Sequence, residues 1–134
     1  MNERTILVAD DESHILNVVS LKLRNAGFRV LTAADGQEAY ELALAEKPVM
    51  LITDYHMPHL SGLDLCARLN AHPELAGMKK IMLSARGYNL EPADMNASGI
   101  LTMLSKPFSP RQLLQTVEEH LGTAGVASAE GMQG

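Results

Sequence analysis

Five short apolar runs, separated by segments with helical spacing, restrict the fold of this chain more than any other feature of its sequence. The first run, TILVA at residues 5–9, is almost entirely apolar, as expected of a strand covered on both faces. The later runs are FRVLTA at 28–33, VMLIT at 49–53, KIMLS at 80–84 and ILTML at 100–104. Strands that alternate with helices form a parallel sheet with right-handed crossovers and helices on both faces. We therefore predict an α/β domain in which five helices cover a doubly wound, five-stranded parallel sheet.

The segments between the runs carry helix start and stop signals. Side chains suited to capping begin three of the helices: Asp35, Ser61 and Ser109. A weaker helix is predicted near residues 91–98. The residues from 122 to 134 are mostly small and show no periodic pattern. We predict one domain over residues 1–121, followed by a flexible tail over residues 122–134.

Composition and charge exclude several classes of protein. The chain has 134 residues and a formal net charge of −5, whereas a nucleic-acid surface needs clustered lysine and arginine. No apolar run approaches the roughly 18 residues of a membrane span, and the first residues show no signal-peptide pattern. The single cysteine, Cys66, permits no internal disulfide and lies among leucines at core spacing. We expect a cytoplasmic protein that binds neither nucleic acid nor membrane.

Polar side chains follow the predicted strands at the edge of the sheet where the strands end. Sheets of this kind bind ligands beyond the carboxyl ends of their strands, at the point where the strand order reverses. The chemistry-bearing residues at these strand ends are Asp10, Asp11, Glu12, Asp54, Ser84 and Lys106. The sequence therefore predicts a functional site at this edge.

The aspartates at this edge suit a divalent cation. Two carboxylates about 4 Å apart repel by roughly 4 kcal/mol at an effective dielectric near 20, and a cation between them removes that repulsion. Oxygen ligands favour Mg²⁺ over zinc. The alternative is that residues 10–13 only cap the following helix, where acids complement the helix dipole. The presence of Asp54 and Lys106 at matching strand ends favours the cation site.

A carboxylate, a metal site, a lysine and a hydroxyl around one point suit phosphoryl transfer, which depends on positioning and charge neutralisation. Lys106 precedes Pro107, which keeps it out of helical backbone space, and its ammonium can pair with carboxylate or phosphoryl oxygens. The sequence contains neither G-x-x-x-x-G-K-[ST] nor G-x-G-x-x-G, so no glycine-rich loop cradles a nucleotide. A phosphoryl donor must therefore come from another molecule.

Over about residues 4–121 the chain resembles the receiver domains of response regulators from two-component signal transduction systems. The resemblance rests on the acid pair in VADDE, the segment DYHMPHLSG, the Ser-Ala after strand four and the KPF after strand five. It implies a flavodoxin-like fold with strand order 2-1-3-4-5. It also implies that Asp54 accepts a phosphoryl group from a sensor histidine kinase or a histidine phosphotransfer protein. The domain would then be a signalling phosphoacceptor rather than an enzyme.

The resemblance also implies roles for the other residues at this edge. It implies a Mg²⁺ site formed by Asp10, Asp11, Asp54 and the backbone carbonyl of His56. Ser84 and Lys106 become the groups that contact the phosphoryl oxygens. A downstream protein target would bind the face made by the predicted helix near 91–98, strand five and the last helix.

One position departs from the family pattern. Family members usually carry Tyr or Phe three residues before the lysine, whereas this chain carries Met103 there. A methionine fills a pocket in several rotamers, so we do not expect an aromatic ring to act as the switch at this position.

Two other functions share this architecture, and one further kind of site suggests itself. A Mg²⁺-dependent phosphohydrolase with an aspartyl-phosphate intermediate needs a second acid just after the nucleophile, where Tyr55 and His56 stand. A flavin-binding module needs a phosphate loop rich in Ser, Thr and Gly after strand one, where DDESH is acidic. A transition-metal cluster of Asp54, His56 and His59 is disfavoured, because a loop that contains Pro58 offers no fixed ligand spacing.

Overall fold

The described part of the chain is built on one parallel sheet. A computed structural model describes residues 4–75, 77–85 and 98–122. Its strands are β1 (Thr5–Ala9), β2 (Arg29–Ala33), β3 (Met50–Asp54), β4 (Lys79–Ser84) and β5 (Ile100–Ser105). All neighbouring strands are parallel and their order is β2-β1-β3-β4-β5. The predicted doubly wound sheet and its strand order are therefore confirmed.

Helices cover both faces of this sheet. The α-helices of the described ranges are α1 (Ser13–Asn25), α2 (Gly36–Glu46), α3 (Gly62–Asn70) and α4 (Pro110–Leu121), with a 3₁₀ turn at Pro73–Leu75. Residues 91–97 of the predicted weak helix and residues 123–134 of the predicted tail lie outside the described residues. The flexibility of that tail and the division of the chain at residue 121 stay predictions.

The two faces of the sheet bury separate apolar clusters. Leu7 and Ala9 of β1 belong to the cluster under α2 and α3, whereas Ile6 and Val8 belong to the cluster under α1 and α4. All four side chains are fully buried. Successive residues of a strand point to opposite faces, so a strand covered on both faces must be apolar at every position. This explains why β1 reads as an unbroken apolar run.

The predicted capping residues begin their helices as expected. Asp35 Oδ1 accepts a hydrogen bond from the backbone N–H of Glu38 at 2.8 Å. Ser61 and Ser109 likewise accept from the backbone N–H three residues later, at 3.1 and 2.9 Å. The helix α1 begins differently, because its N-cap residue, Glu12, makes no side-chain capping bond. The side chain of Glu12 is therefore available for another partner.

The fold also tests the predictions drawn from composition. Cys66 is fully buried in the cluster under α2 and α3, as predicted. Its burial raises the pKa of the thiol to about 12, so the thiolate is not available for chemistry at neutral pH. Within the described ranges, none of the helices has the length and apolar character that a membrane crossing would need.

Candidate functional site

The predicted site residues come together because the neighbouring strands β1, β3, β4 and β5 end at the same edge of the sheet. Asp10 directly follows β1, and Asp54 is the last residue of β3, which pairs with β1. Ser84 is the last residue of β4, and Lys106 directly follows β5. The Lys106 backbone N–H donates to the Ser84 carbonyl at 2.7 Å, which ties the ends of β4 and β5 together.

Three aspartates form a cluster at this edge. Carboxylate oxygens of Asp10, Asp11 and Asp54 all lie within 4.8 Å of one another. Asp10 is fully buried and Asp54 is 6% exposed, whereas Asp11 is exposed to solvent. Sequence reasoning predicted this grouping, since β1 and β3 are neighbours. In the part of the chain that the structure describes, no other group of acidic, histidine or cysteine side chains has metal-ligand spacing. The disfavoured set of Asp54, His56 and His59 is among the groups that lack it.

The ammonium of Lys106 lies among three carboxylates. Its Nζ is 2.9 Å from Asp10 Oδ2, 3.0 Å from Asp54 Oδ1 and 2.9 Å from Glu12 Oε1. The lysine side chain is only 14% exposed, and the Asp10 side chain is not exposed at all. Sequence reasoning placed Glu12 at this edge but gave it no partner. The sequence contained one signal for this contact. An acid at the start of α1 suits the helix dipole, and the same position lies next to the strand ends, where Lys106 was also predicted.

Burial and charge act in opposite directions on these groups. Burial raises the pKa of Asp10 above its usual value, and the hydrogen bond from the Glu12 backbone N–H and the nearby Lys106 ammonium oppose that rise. Partial burial lowers the pKa of Lys106, but its bonds to Glu12, Asp10 and Asp54 outweigh this, so the pKa is raised. The same ammonium lowers the pKa of Glu12. At neutral pH the lysine therefore stays charged and compensates the acids around it.

A tight loop after β3 presents Asp54. The backbone N–H of Gly62 donates to the Tyr55 carbonyl at 2.8 Å, which closes the loop. A Cβ atom at Gly62 would lie 2.1 Å from the backbone oxygen of Asp54, so only glycine permits this approach of α3. Sequence reasoning did not assign Gly62 a role, although a serine cap followed by glycine marks the position. The rings of Tyr55 and His56 stack at 4.8 Å between centroids, at the lip of the loop.

An open cleft of about 690 Å³ exposes this cluster. Its lining includes Asp11, Asp54, His56, Lys106 and Phe108. The peptide bond between Lys106 and Pro107 is cis. The fully buried Asp10 is not among the residues that line the cleft. A ligand that enters the cleft would therefore meet Asp54 and Lys106 directly.

The remaining predicted residues differ in how far the structure describes them. Ser84 is buried at the end of β4, and its carbonyl accepts the bond from the Lys106 N–H. Met103 is a partly buried residue of β5 and packs against the cluster under α2 and α3, as predicted for a strand residue that faces a helix. The role of the His56 backbone carbonyl as a metal ligand stays a prediction.

The arrangement of these acids fits a Mg²⁺ ion. Asp10 Oδ2 is buried and accepts no hydrogen bond of good geometry from the described residues, although the Lys106 ammonium lies 2.9 Å away. Mg²⁺ binds one or two carboxylates and keeps several waters. The buried Asp10 offers an oxygen whose positively charged neighbour is the Lys106 ammonium, and the exposed Asp11 adjoins solvent, where a bound ion would keep its waters. The alternative, that residues 10–13 only cap α1, accounts for the bond from the Glu12 N–H to Asp10 Oδ1 but not for Asp54, whose carboxylate lies within 4.8 Å of those of Asp10 and Asp11.

Comparison with known proteins identifies the class to which this fold and site belong. Residues 6–118 match the family model of the response regulator receiver domain. The chain therefore belongs to the response regulator receiver family of two-component signal transduction. The resemblance inferred from the motifs is confirmed.

Individual relatives agree with this assignment. The chain is 32% identical to PhoP, the alkaline phosphatase synthesis transcriptional regulatory protein of Bacillus subtilis, over 96% of this chain and 52% of PhoP. It is 31% identical to PhoB, the phosphate regulon transcriptional regulatory protein of Pseudomonas aeruginosa, over 95% of this chain and 56% of PhoB. The chain thus spans about half the length of these curated relatives. The structure of the chemotaxis response regulator CheY4 of Vibrio cholerae is similar, with a TM-score of 0.81 and 30% identity over 88% of this chain and 98% of CheY4.

Proposed function

We propose that Asp54 is the phosphoacceptor of this receiver domain and that the phosphoryl group comes from a sensor histidine kinase or a histidine phosphotransfer protein. In this reaction an Asp54 carboxylate oxygen forms a bond to phosphorus while the bond from phosphorus to the donor imidazole nitrogen breaks. The product is an acyl phosphate on Asp54. The protein would thereby act as a phosphoacceptor, and phosphorylation of Asp54 would serve signalling rather than turnover of a metabolite.

The observation that carries this proposal is the contact between Lys106 and two buried aspartates, one of which faces the cleft. Lys106 Nζ lies 3.0 Å from Asp54 Oδ1 and 2.9 Å from Asp10 Oδ2. Phosphoryl transfer requires little covalent chemistry from the protein and depends on positioning and neutralisation of charge. Lys106 provides a fixed positive charge within reach of a phosphoryl group on Asp54, and the ion pairs hold Asp54 in one orientation.

We propose that Asp10, Asp11 and Asp54, with the backbone carbonyl of His56, hold Mg²⁺ in this reaction. When bound, the ion would neutralise negative charge on the oxygens of the transferring phosphoryl group. The buried Asp10 is positioned for this role by its bond from the Glu12 N–H, which fixes the carboxylate. We further propose that the Ser84 hydroxyl and the Lys106 ammonium contact the phosphoryl oxygens once they are on Asp54.

The test is phosphorylation of Asp54→Asn. An amide has the shape of the carboxylate but is a poor nucleophile, so the variant should fold and accept no phosphoryl group. The full chain would be incubated with Mg²⁺ and acetyl phosphate and analysed by intact mass. The unaltered protein should gain one phosphoryl group that hydroxylamine removes, and EDTA should prevent the gain.

A matched control and two alternative outcomes make this test decisive. Asp64→Asn changes an exposed aspartate in the first turn of α3 and should leave labelling unchanged. Undiminished labelling of Asp54→Asn would contradict the assignment of the phosphoacceptor. Steady release of phosphate without accumulated label would favour the phosphohydrolase, and a yellow protein would favour the flavin module.

We propose that phosphorylation changes a face made by the predicted helix near 91–98, β5 and α4, to which a downstream protein binds. Lys106 is well placed to start such a change, because it directly follows β5 and its N–H is bonded to the end of β4. Hydrogen exchange with and without beryllofluoride, a phosphoryl mimic, should show differences concentrated in residues 85–108. Differences confined to residues 54–61 would contradict the proposal.

A further inference from the structure

A second cleft lies at the opposite edge of the sheet, where the strands begin. It has a volume of about 480 Å³ and is formed by the residues before β1, β3 and β4 and by the end of α4. Its floor is apolar and includes Val49, Leu75 and Met78. Val49, at the mouth of this cleft, is 39% exposed and can therefore contact a ligand there. The chemistry proposed for Asp54 makes no use of this cleft.

The rim of this cleft carries a charge opposite to that of the chain. Arg4, Lys47 and Lys79 line it, with His120 beside them. The whole chain contains 11 lysines and arginines and 16 aspartates and glutamates. Among the described lining residues of this cleft, by contrast, there are three such cations and one acid, Glu74. Because the protein is acidic as a whole, a recess with this balance would attract an anionic group that the rest of the surface repels.

The backbone at Lys47 gives a second and independent indication. Lys47 follows the last turn of α2 with φ 47° and ψ 61°, in the left-handed region. Glycine or asparagine is favoured at such a helix end, and another residue there costs stability. Strained backbone positions cluster at functional sites, so the left-handed conformation of Lys47 supports a function for its side chain. At this position the strain places a lysine at the rim of the cleft.

We propose that this cleft, defined by the three cations Arg4, Lys47 and Lys79 around the apolar floor of Val49, Leu75 and Met78, binds an acidic peptide segment of a partner protein. Carboxylates of the segment would pair with the rim, and an apolar side chain would occupy the floor. The recess is open and concave, so it suits an extended chain that crosses it. A small ligand would be left largely exposed there, whereas typical small-molecule sites bury most of their ligand.

The probe for this proposal is a fluorescein-labelled peptide that alternates glutamate with leucine, measured by fluorescence anisotropy against the full chain. We expect saturable binding with a dissociation constant below about 1 mM. Affinity should fall when salt is raised from about 0.05 M to about 0.5 M, because surface charge pairs are screened. A peptide with glutamine in place of glutamate should bind at least several-fold more weakly.

Variants separate a role in binding from a role in folding. Lys47→Asn should keep or raise the melting temperature, because asparagine tolerates the left-handed region, while weakening peptide binding about two- to fivefold. Lys79→Gln should act in the same direction, and the double variant should lose more than either alone. Arg111→Gln removes one positive charge at the exposed, opposite end of α4 and should leave peptide affinity unchanged.

Other occupants of the cleft give distinct results, each of which overturns the proposal. Residues 123–134 follow Gly122, where an added Cβ atom would lie 3.6 Å from Arg4 Nη1, and they contain one acid, Glu130. Peptide binding that is absent from the unaltered chain and appears only in Glu130→Gln would make that segment the occupant. Self-association in sedimentation that Lys47→Asn abolishes, without peptide binding, would make it a second copy of this chain. Equal binding of the glutamate and glutamine peptides would reduce the site to an apolar groove.

Discussion

Removal of the Lys106 ammonium tests whether this residue compensates the buried acids of the site. Lys106→Met keeps most of the side-chain volume and deletes the charge. Two unit charges about 3 Å apart attract by roughly 5–6 kcal/mol at an effective dielectric near 20, and Lys106 makes this contact with both Asp10 and Asp54. Most of that attraction offsets the cost of taking the three groups out of water. Deletion of one partner of a buried ion pair usually costs about 3–5 kcal/mol, because the other charge is left uncompensated.

Protonation sets an upper limit on the free energy that an uncompensated Asp10 carboxylate can cost. The carboxyl has an ordinary pKa of 3.8, so proton uptake at pH 7 costs about 4 kcal/mol, at 1.36 kcal/mol per pH unit. An uncompensated Asp10 would take up a proton rather than exceed this cost. Because the lysine side chain is still 14% exposed, we expect Lys106→Met to lower the free energy of unfolding by about 3 kcal/mol at pH 7 without metal.

The pH dependence of this loss has a definite sign. Burial already raises the pKa of Asp10, and deletion of the neighbouring cation raises it further. The folded variant then binds more protons than its unfolded chain above pH 3.8, so its stability falls as the pH rises through the window between 3.8 and the raised pKa. The deficit relative to the unaltered protein should therefore be small near pH 4 and complete near neutrality.

Urea unfolding at a series of pH values measures this deficit directly. Lys22→Met, which removes a half-buried lysine in the last turn of α1, is the matched control and should cost less than about 1 kcal/mol. Mg²⁺ should stabilise Lys106→Met more than the unaltered protein, since it would replace the missing positive charge. A loss no larger than that of Lys22→Met, or one that persists unchanged in acid, would refute the reasoning.

Three further predictions address the metal site, the loop and the core. Asp11→Ala should raise the melting temperature by about 1–3 °C without metal, because it relieves repulsion among the carboxylates, and should weaken the stabilisation by Mg²⁺; a clear loss of stability would favour the capping role. Gly62→Ala should cost about 2–3 kcal/mol in urea unfolding and slow labelling of Asp54, because the new Cβ meets the Asp54 backbone, whereas Gly77→Ala meets no atom within 4 Å and should be nearly neutral. Lys80 is fully buried and desolvation lowers its pKa, so the unfolded chain binds more protons than the folded one below pH 10.5 and stability should rise as the pH approaches that value. Lys80→Met should lack this rise, and an identical pH profile for both proteins would contradict the inference that burial lowers the pKa of Lys80.

The parts of the fold that sequence reasoning predicted are those fixed by local or periodic rules. The apolar runs located every strand to within one residue, because a strand covered on both faces must be apolar throughout. The caps at Asp35, Ser61 and Ser109 were predictable because each depends on one side chain and a backbone N–H three residues later. The grouping of Asp10 with Asp54 followed from the topology, since β1 and β3 are neighbours.

The parts that escaped prediction depend on contacts between residues far apart in sequence. Glu12 and Lys106 are separated by 94 positions, and their 2.9 Å contact exists only because α1 begins beside the end of β5. The burial of Lys80 contradicts the usual exposure of lysine, and it is tolerated because Nζ donates to the Met78 carbonyl at 3.1 Å. The Glu12–Lys106 contact and the burial of Lys80 both depend on where the folded chain places each residue, and the residue type alone does not reveal that position.

The crowded surroundings of Lys106 bear on how a domain with Met103 in place of an aromatic ring would switch. An ammonium has three N–H donors, and three carboxylates already lie within 3.0 Å of Lys106 Nζ. A phosphoryl group on Asp54 carries about −1.5 to −2 charges, so under the proposed function it would compete for these donors. Glu12 is the partner that costs least to release, because its side chain is 59% exposed and water replaces the lost bond. Release of Glu12 would uncouple the start of α1 from the end of β5. In this chain, exchange of ion-pair partners can therefore link Asp54 to β5 without a ring that turns.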